Sequence, residues 1–155
     1  MKEKINWKVL IVSFIIVYLV AALGSLFTAG NTSGEWYDSI KPSITPPGWV
    51  FPIVWNILFF LIALSLYFAW NSAEGKSKKK VALVFGINFL LNILWSFLYF
   101  FLKKPALAFI EIIILEISIL AMILIAYKTS KKAAYLLVPY LLWVGFASIL
   151  NYLSL

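Results

Sequence analysis

The sequence predicts an all-α integral membrane protein built as a single bundle of five spanning helices. Hydrophobic residue types make up 64% of the 155 residues, and charged types make up only 12%. Soluble domains contain about 45–50% apolar and about 25% charged residues. The apolar residues also form five stretches, each long enough as a helix to cross a hydrocarbon layer of about 30 Å. This composition excludes a soluble enzyme, an exported soluble domain and a disordered chain.

The five stretches, which we call spans one to five in chain order, are continuously apolar. They lack the alternation of polar and apolar residues that is typical of a strand in a membrane barrel. A helix also satisfies its own backbone hydrogen bonds in lipid. Only one connection is long, residues 28–46, and no linker divides the chain, so we expect one domain over residues 1–155. The predicted spans cover residues 7–27, 47–70, 81–102, 106–127 and 133–153.

Span one has some features of a secretory signal peptide, because lysines precede an apolar run. The run Val9–Leu23 continues through Phe27, however, and is longer than the 7–15 apolar residues of a signal peptide. We therefore expect a retained spanning helix. Its small residues permit close approach of another helix, from the same chain or from a second copy. They are Ala21, Gly24, Ser25 and Thr28.

The lysines predict the orientation in the membrane. Ten of the 13 basic residues fall on the side that holds the N-terminus, and three fall on the other side. Membrane proteins carry an excess of basic residues on their cytoplasmic loops. We therefore expect a plasma-membrane protein with its N-terminus in the cytoplasm. The C-terminus and residues 28–46 lie outside. The ten lysines are Lys2, Lys4, Lys8, Lys76, Lys78, Lys79, Lys80, Lys128, Lys131 and Lys132.

Two absent residue types limit the chemistry. The chain contains no cysteine and no histidine, so the commonest general base and metal ligand is missing, and so are disulfides and thiolate sites. The net charge of +7 is not arranged as a basic stripe interleaved with polar residues, and we expect no nucleic-acid partner. No conventional catalytic site, metal site or resident cofactor is predicted.

The connection 28–46 combines aromatic residues with Pro42 and Pro46, and Pro47 follows at the start of span two. Proline removes a backbone donor and restricts the residue before it, which prevents a regular helix up to Pro46. The Pro46–Pro47 pair suits the first turn of span two. Aromatic side chains on such a stiff loop either cover the mouth of a cavity or form an interfacial belt. The residues alone leave both alternatives open.

Three segments carry a resemblance to a known family. Trp-Tyr-Asp-x-x-Lys-Pro-x-x-x-Pro-Pro at residues 36–47, followed by Trp55, is similar to the tryptophan-rich sensory protein and translocator protein (TspO) family. Asn92-x-x-Trp95-Ser96 in span three resembles the family's third helix, and residues 139–152 resemble its fifth. The resemblance covers residues 36–152 in detail and span one by hydropathy.

The resemblance implies a membrane receptor or sensor with a pocket that opens toward residues 28–46. The implied ligands are porphyrin-type tetrapyrroles such as protoporphyrin IX and drugs of the isoquinoline carboxamide and benzodiazepine classes. Alternatives are light- and oxygen-dependent porphyrin degradation, and transport of porphyrin or another small hydrophobic molecule. Expected partners are a flat hydrophobic ligand, membrane lipid and a second copy of the chain in a homodimer.

The residues themselves also suggest a pocket. Polar and aromatic side chains recur every three or four residues in spans three and five, which places them on one face of each helix. A rise of about 1.5 Å per residue brings Trp55 of span two to the level of Trp95. Such a layer suits a flat aromatic ligand. The alternative is helix packing, with asparagine as an interhelical hydrogen-bond former. The recurring residues are Asn88, Asn92, Trp95, Tyr99, Tyr140, Trp143, Ala147 and Asn151.

The resemblance carries these positions over residue by residue. It assigns ligand contacts to Trp55, Asn88, Asn92, Trp95, Trp143 and Ala147, and we add Tyr140, which shares the face of Trp143. It assigns the loop that closes the pocket to Trp36, Lys41, Pro42, Pro46 and Pro47. Two departures are visible: Ile44 replaces a tryptophan common in the family, and no basic residue follows Tyr152. The cholesterol motif proposed for animal members of the family needs a basic residue after the tyrosine and is therefore incomplete here. Sterol dependence is not predicted.

Span four contains two acids, Glu111 and Glu116. They are five residues apart, about 140° around a helix, so they do not form a paired-carboxylate site. Glu111 matches a position that is often acidic in the family. Glu116 lies near the middle of the span, where an acid is a functional candidate because ionisation in lipid is costly. The alternative is a protonated Glu116 that is hydrogen-bonded inside the bundle or at a dimer interface.

Overall fold

The computed structural model describes residues 4–155, and these residues are helical with short connections and no strand. Five helical segments are long and apolar enough to span a membrane, so the predicted fold class is confirmed. Lys2, one of the lysines used for the orientation, lies outside the described residues. The helices are α1 (Trp7–Thr28), α2 (Glu35–Ile40), α3 (Val50–Ser72), α4 (Lys76–Ser96), α5 (Pro105–Thr129), α6 (Lys131–Leu136) and α7 (Val138–Tyr152).

Span two begins later than predicted. Residues 47–50 form a turn in which the Val50 amide donates to the Pro47 carbonyl at 2.9 Å, and the helix starts only at Val50. Span three begins earlier, at Lys76. The lysine run after Gly75 already belongs to the helix, because lysine is a good helix former wherever its head group reaches water.

The long connection contains a helix that the sequence analysis missed. α2 covers Glu35–Ile40, ahead of the prolines, and ends where Lys41 adopts an extended conformation (φ −64°, ψ 132°). A residue before proline avoids the helical region for steric reasons, so Pro42 ends α2. The prolines keep the second half of the connection irregular and leave the first half free to fold.

Two of the spans change their helical geometry along their length. α4 continues directly into a π-helical turn, Phe97–Phe101, and together they form span three. Span five consists of α6 and α7, which meet at Leu137, with Pro139 in the first turn of α7. Proline lacks the amide needed to continue the hydrogen bonds of α6. Both changes have consequences for the interior of the bundle.

The spans form a closed ring in the order one, two, five, four, three. We call the end that carries residues 29–49 and the C-terminus the loop end, and the opposite end the lysine end. At the lysine end α3 packs closely against α6, whereas toward the loop end α3 makes only marginal contact with α7. The ring is therefore tight at the lysine end and wider at the loop end.

Most residues of the tight half are aliphatic or small, although a phenylalanine is among them. They include Ile62, Phe85, Ile119, Met122 and Ala133, each at most 1% exposed. The outward faces of the spans are also apolar, with Leu90 and Leu142 about two-thirds exposed (71% and 68%). In a bilayer these faces contact hydrocarbon, which explains why apolar residues are abundant both inside and outside the bundle.

Candidate ligand-binding cavity

A cavity of about 790 Å³ occupies the loop half of the bundle. All five spans contribute to its walls, and residues 37–48 of the connection close it at the loop end. Ligand sites for small molecules usually measure about 300–1,000 Å³, so this cavity is large enough for a drug-sized molecule. Of the predicted residues, its walls contain Trp55, Asn92, Trp95, Trp143, Ala147, Lys41, Pro42, Pro46 and Pro47.

The wall formed by α3 is aromatic. Phe51, Trp55 and Phe59 are spaced four residues apart and face the cavity together. Trp55 stacks on Phe59, with ring centroids 5.4 Å apart and planes inclined by 30°. The edge-to-face contact of Trp55 with Tyr140, at 6.3 Å, connects this wall to span five. These contacts hold the indole of Trp55 by packing alone.

Trp143 separates two spaces. It lines the central cavity and also a groove of about 360 Å³ on the surface between α3 and α7, beside Ile57 and Leu142. Phe51 and Phe146 contact its ring at centroid distances of 5.8 and 5.6 Å. Its Nε1 atom is buried and has no hydrogen-bond partner among the described residues. Aromatic packing therefore holds this indole without a hydrogen bond.

Trp95 is held differently. Its Nε1 donates to Oδ1 of Asn151 at 3.0 Å, and the amide of Asn151 donates to the Pro105 carbonyl at 2.9 Å. Asn151 thus connects spans three, four and five near the loop end. Sequence analysis placed Asn151 on the correct face of span five but gave it no role. Its position eleven residues after Tyr140, on the same helix face, was the only sign in the sequence that its side chain points into the bundle.

Four side chains form a hydrogen-bonded cluster below the cavity, which we call the polar layer: Asn88, Asn92, Ser118 and Tyr140. The Tyr140 hydroxyl donates to Oδ1 of Asn88 and accepts from Nδ2 of Asn92, both at 3.1 Å. Asn88 donates to the Ser118 hydroxyl at 2.9 Å. Asn88, Ser118 and the Tyr140 hydroxyl are thereby satisfied without water, as burial in an apolar bundle requires.

The polar layer changes the assignment of two predicted ligand contacts. Asn88 and Tyr140 are 0% and 1% exposed, and neither lies on the cavity wall. They lie toward the lysine end, where the ring of spans is already closed. Only Asn92 reaches the cavity, and its Oδ1 makes no hydrogen bond to the described residues. Helical periodicity gave the right face, but the depth at which the cavity ends depends on packing.

The predicted lid residue Trp36 also lies off the cavity wall. It packs edge-to-face against Tyr99 at 5.9 Å, and the Lys103 ammonium lies 5.7 Å from its ring centroid. Tyr37 contacts Phe100 at 5.8 Å. Tyr99 and Phe100 are neighbours in the sequence, yet both are buried beneath α2. The wider π-helical turn allows both side chains to face α2. Their contacts with Trp36 and Tyr37 hold the loop that closes the cavity against span three.

Tyr37 contacts both the lid interface and the cavity. Burial raises the pKa of its hydroxyl above the ordinary value, and the charge of Asp38 raises it further. The phenol therefore stays neutral at physiological pH and contributes a hydroxyl group rather than a charge to the lid.

The cavity wall also contains residues that sequence analysis assigned to helix packing. Ala21, Gly24, Ser25 and Thr28 of α1 all line it. The hydroxyl hydrogens of Ser25 and Thr28 are donated to carbonyls of α1 itself, both at 2.8 Å. Because these side chains are small, α1 leaves space for the cavity. The regular spacing of small residues was visible in the sequence, but it does not distinguish a cavity wall from a helix contact.

The two acids of span four lie off the cavity wall. Glu111 is 5% exposed, and neither of its carboxyl oxygens has a hydrogen-bond partner among the described residues. Glu116 lies against Gly145 of α7: a β-carbon placed there would be 3.4 Å from its Oε1. Its Oε2 is buried and unpaired among the described residues, so the hydrogen bond expected for Glu116 is not seen at this atom.

The geometry suits a flat, largely apolar ligand. The walls present three indoles from three different spans, and the acceptor Oδ1 of Asn92 lies at the polar layer. A few polar groups placed in a mostly apolar enclosure are typical of small-molecule sites. The indole faces can stack on a conjugated ring, and each aromatic pair contributes about 0.5–1.5 kcal/mol beyond area burial.

Comparisons with known proteins agree with this architecture. A model of the TspO/MBR family matches residues 13–154. The chain is 40% identical over 144 residues to the tryptophan-rich protein TspO of Archaeoglobus fulgidus, which covers 92% of both chains. It is 31% identical over 136 residues to the tryptophan-rich sensory protein of Cereibacter sphaeroides (86% and 84% covered). It is also 31% identical over 140 residues to the translocator protein of Bos taurus (86% and 83% covered).

Proposed function

Because the chain belongs to the TspO/MBR family, we propose that this multi-pass membrane protein is a receptor or sensor for a porphyrin-type tetrapyrrole. Isoquinoline carboxamide and benzodiazepine-like molecules would occupy the same site. The ligand lies in the central cavity, with its conjugated ring between indoles of spans two, three and five. Relatives named sensory protein and translocator protein support a role in recognising a small molecule.

The single observation that carries this proposal is the 790 Å³ cavity with Trp55, Trp95 and Trp143 in its walls. The three indoles come from separate spans, so a ligand between them also holds the loop half of the bundle together. Trp95 is fixed by its hydrogen bond to Asn151, which provides a preorganised surface. A preorganised site binds more tightly, because less conformational entropy is lost on binding.

A binding titration tests the proposal. Protoporphyrin IX is added to the purified protein in lipid nanodiscs, and binding is followed by the porphyrin's own absorbance. This readout remains valid when tryptophans are replaced. We expect saturable binding that is at least tenfold weaker in the double variant Trp55→Ala/Trp143→Ala, since two stacking partners are lost. Unchanged affinity in a folded double variant would exclude the cavity as the site.

A matched control is available at the other end of the bundle. Trp7 and Trp70 lie at the lysine end of spans one and two, and neither lines the cavity. The double variant Trp7→Ala/Trp70→Ala removes the same number of indoles. It should bind the porphyrin within about twofold of the unmodified protein, because substitutions far from a site and without shared partners act independently of it.

Light-dependent porphyrin degradation is the second candidate function. One observation favours it: Trp143 lies on the cavity wall with an indole that no hydrogen bond fixes or stabilises among the described residues. In this mechanism the excited porphyrin and dioxygen carry out the chemistry, and the protein holds the ring beside the indoles. Illumination with and without dioxygen tests this alternative. Equal product formation under both conditions would contradict it.

Transport is less compatible with the geometry. A ligand that crosses the membrane must pass the polar layer and the closed lysine half, where Ile62, Phe85 and Ile119 are at most 1% exposed. Measurement of ligand flux in proteoliposomes distinguishes a transporter from a receptor. Flux above the rate of protein-free vesicles would favour transport.

We further propose that the protein lies in the plasma membrane with the lysine end in the cytoplasm. The chain has no cysteine, so a single introduced cysteine can be labelled selectively. Ser33→Cys at the loop end should react with a membrane-impermeant maleimide added to intact cells, and Glu74→Cys at the lysine end should not. The reverse pattern would invert the orientation. The homodimer stays a prediction from the family resemblance.

A further inference from the structure

The cavity has a polar rim at the loop end, formed by Asp38, Lys41 and Thr45. Lys41 Nζ lies 2.6 Å from Oδ1 of Asp38, and the two side chains are 43% and 55% exposed. They are the only charged side chains among the described residues that line the cavity. Every other charge is therefore kept away from the ligand space, and this pair lies where the space meets water.

Thr45 adds a second polar group to the rim. The chain turns back after Lys41, with the Thr45 amide donating to the Pro42 carbonyl at 3.0 Å, so that Thr45 lines the same cavity. Its hydroxyl oxygen is buried and has no hydrogen-bond partner among the described residues. A buried hydroxyl without a partner is costly, so an acceptor that enters the rim gains this donor without displacing another bond.

We propose that the rim is a subsite for a carboxylate group of the cavity ligand. Lys41 and Thr45 bind the carboxylate of the ligand. This carboxylate displaces the Asp38 carboxylate from Lys41. This inference rests on the proposed function and narrows its ligand class. The ligand is an amphiphile with a flat apolar body, held in the cavity, and at least one carboxylate, held at the loop end.

The distribution of polar groups supports this orientation. The cavity below the rim is aromatic and aliphatic, and a carboxylate placed there would lose its hydration without a cation in reach. Asn92, at the polar layer, offers an amide but no charge. At the rim the carboxylate keeps part of its water and gains a charge-assisted hydrogen bond from an ammonium group. An acid is therefore oriented with its body inside and its charge at the mouth.

The expected effect is moderate, because the Asp38–Lys41 pair is half exposed. Exchange of one carboxylate for another on an exposed lysine changes the free energy little. The gain is therefore only severalfold, and it needs both the Lys41 ammonium, which distinguishes acid from ester, and the unpaired Thr45 hydroxyl. The Lys41 ammonium also lies 5.8 Å from the Tyr37 ring centroid, which restricts where it can move.

The test compares an acid with its ester in the full-length protein in nanodiscs. Protoporphyrin IX and its dimethyl ester share the conjugated ring and differ in charge. We expect the acid to bind roughly three- to tenfold more tightly than the ester. Lys41→Gln should remove this difference by weakening the acid more than the ester, whereas Lys41→Arg should retain it. Asp38→Asn should raise acid affinity by about twofold or more.

Two further variants separate the rim from a general effect of surface charge. Thr45→Val should weaken acid binding by roughly two- to fivefold and ester binding by less. Lys104→Gln removes a lysine at the same end of the bundle that does not line the cavity. It should leave both affinities within about twofold at physiological salt, because exposed charges are screened beyond about 8 Å.

Several outcomes would overturn the subsite. Equal weakening of acid and ester by Lys41→Gln would mean that Lys41 only shapes the lid. An equal effect of Lys104→Gln would mean a non-specific field. If the unmodified protein binds neither tetrapyrrole, the proposed function fails, and pyrenebutyric acid with its methyl ester then tests the rim alone. The subsite would be excluded if Lys41→Gln changed the affinity of neither acid, protoporphyrin IX or pyrenebutyric acid.

Discussion

The two halves of the bundle are built from the same five spans and differ in almost every other respect. In the lysine half, α3 presents Ile62, Ala63 and Ala69 to its neighbours, and all are at most 1% exposed. In the loop half the same helix presents Phe51, Trp55 and Phe59 to a cavity. The polar layer lies between them. Along α3, large aromatic side chains therefore face the open half, and small or aliphatic ones face the closed half.

The two halves have different roles, one in stability and the other in binding. The closed half has no space for a ligand and supplies packing, so substitutions there should change stability more than binding. The open half gives up packing to form a cavity, so substitutions there should change binding more than stability. The break between α6 and α7 at Leu137 and Pro139 marks the transition, because α6 packs on α3 and α7 does so only marginally.

The largest effect is expected in the closed half. Phe85 is 1% exposed in the core, and Phe85→Ala should lower the free energy of unfolding by about 3 kcal/mol or more, because it removes a buried ring and leaves a void. Unfolding by sodium dodecyl sulfate, followed by tryptophan fluorescence, measures the change. Porphyrin affinity of the folded protein should stay within about twofold. If Phe85→Ala lowered affinity strongly without lowering stability, the closed half would contribute to binding, which contradicts this division of roles.

The polar layer should give the next largest effect. Tyr140→Phe removes the hydroxyl that serves both Asn88 and Asn92, so that Oδ1 of Asn88 and Nδ2 of Asn92 then lack a partner. The expected cost is about 2 kcal/mol in the same unfolding assay. Tyr135→Phe is the matched control, because Tyr135 is 64% exposed and should change stability by less than about 0.5 kcal/mol. Equal effects of the two variants would mean that the hydrogen bonds contribute nothing.

The third variant acts on the open half alone. Ala147→Leu fills the cavity beside Trp143 and should weaken porphyrin binding at least about tenfold, or about 1.4 kcal/mol, with little loss of stability because the space is already empty of protein. Ala82→Leu, on an exposed face of span three, makes the same change outside the cavity and should leave binding intact. Tight binding by Ala147→Leu would place the ligand elsewhere.

The smallest effect concerns the lid. Trp36→Leu removes the aromatic contact with Tyr99, which contributes about 0.5–1.5 kcal/mol. Dissociation of the porphyrin should be roughly two- to fivefold faster, and amide exchange in residues 35–45 should increase while the spans stay protected. Trp49→Ala serves as control, because Trp49 is 68% exposed and does not line the cavity. Equal dissociation rates for Trp36→Leu and the unmodified protein would show that α2 does not retain the ligand.

Sequence reasoning located much of the cavity because hydropathy and helical period are local properties. Trp55, Asn92, Trp95, Trp143 and Ala147 were each placed on an inward face from spacing and family resemblance, and all line the cavity. Asn88, Tyr140 and Trp36 were predicted with them and lie off the wall. Spacing defines a direction around a helix axis, whereas the distance along the axis to the end of a cavity depends on neighbouring spans.

The amino-acid sequence by itself determined that five apolar helices cross a membrane and that prolines keep part of the long connection irregular. Those features follow from the cost of exposing polar backbone to lipid and from the fixed geometry of proline. Only the tertiary structure decided the order of the spans, the π-helical turn that holds α2, the part of α1 that lines the cavity and the polar layer that ends it. Each of these depends on contacts between residues far apart in the chain, and no local pattern encodes such contacts.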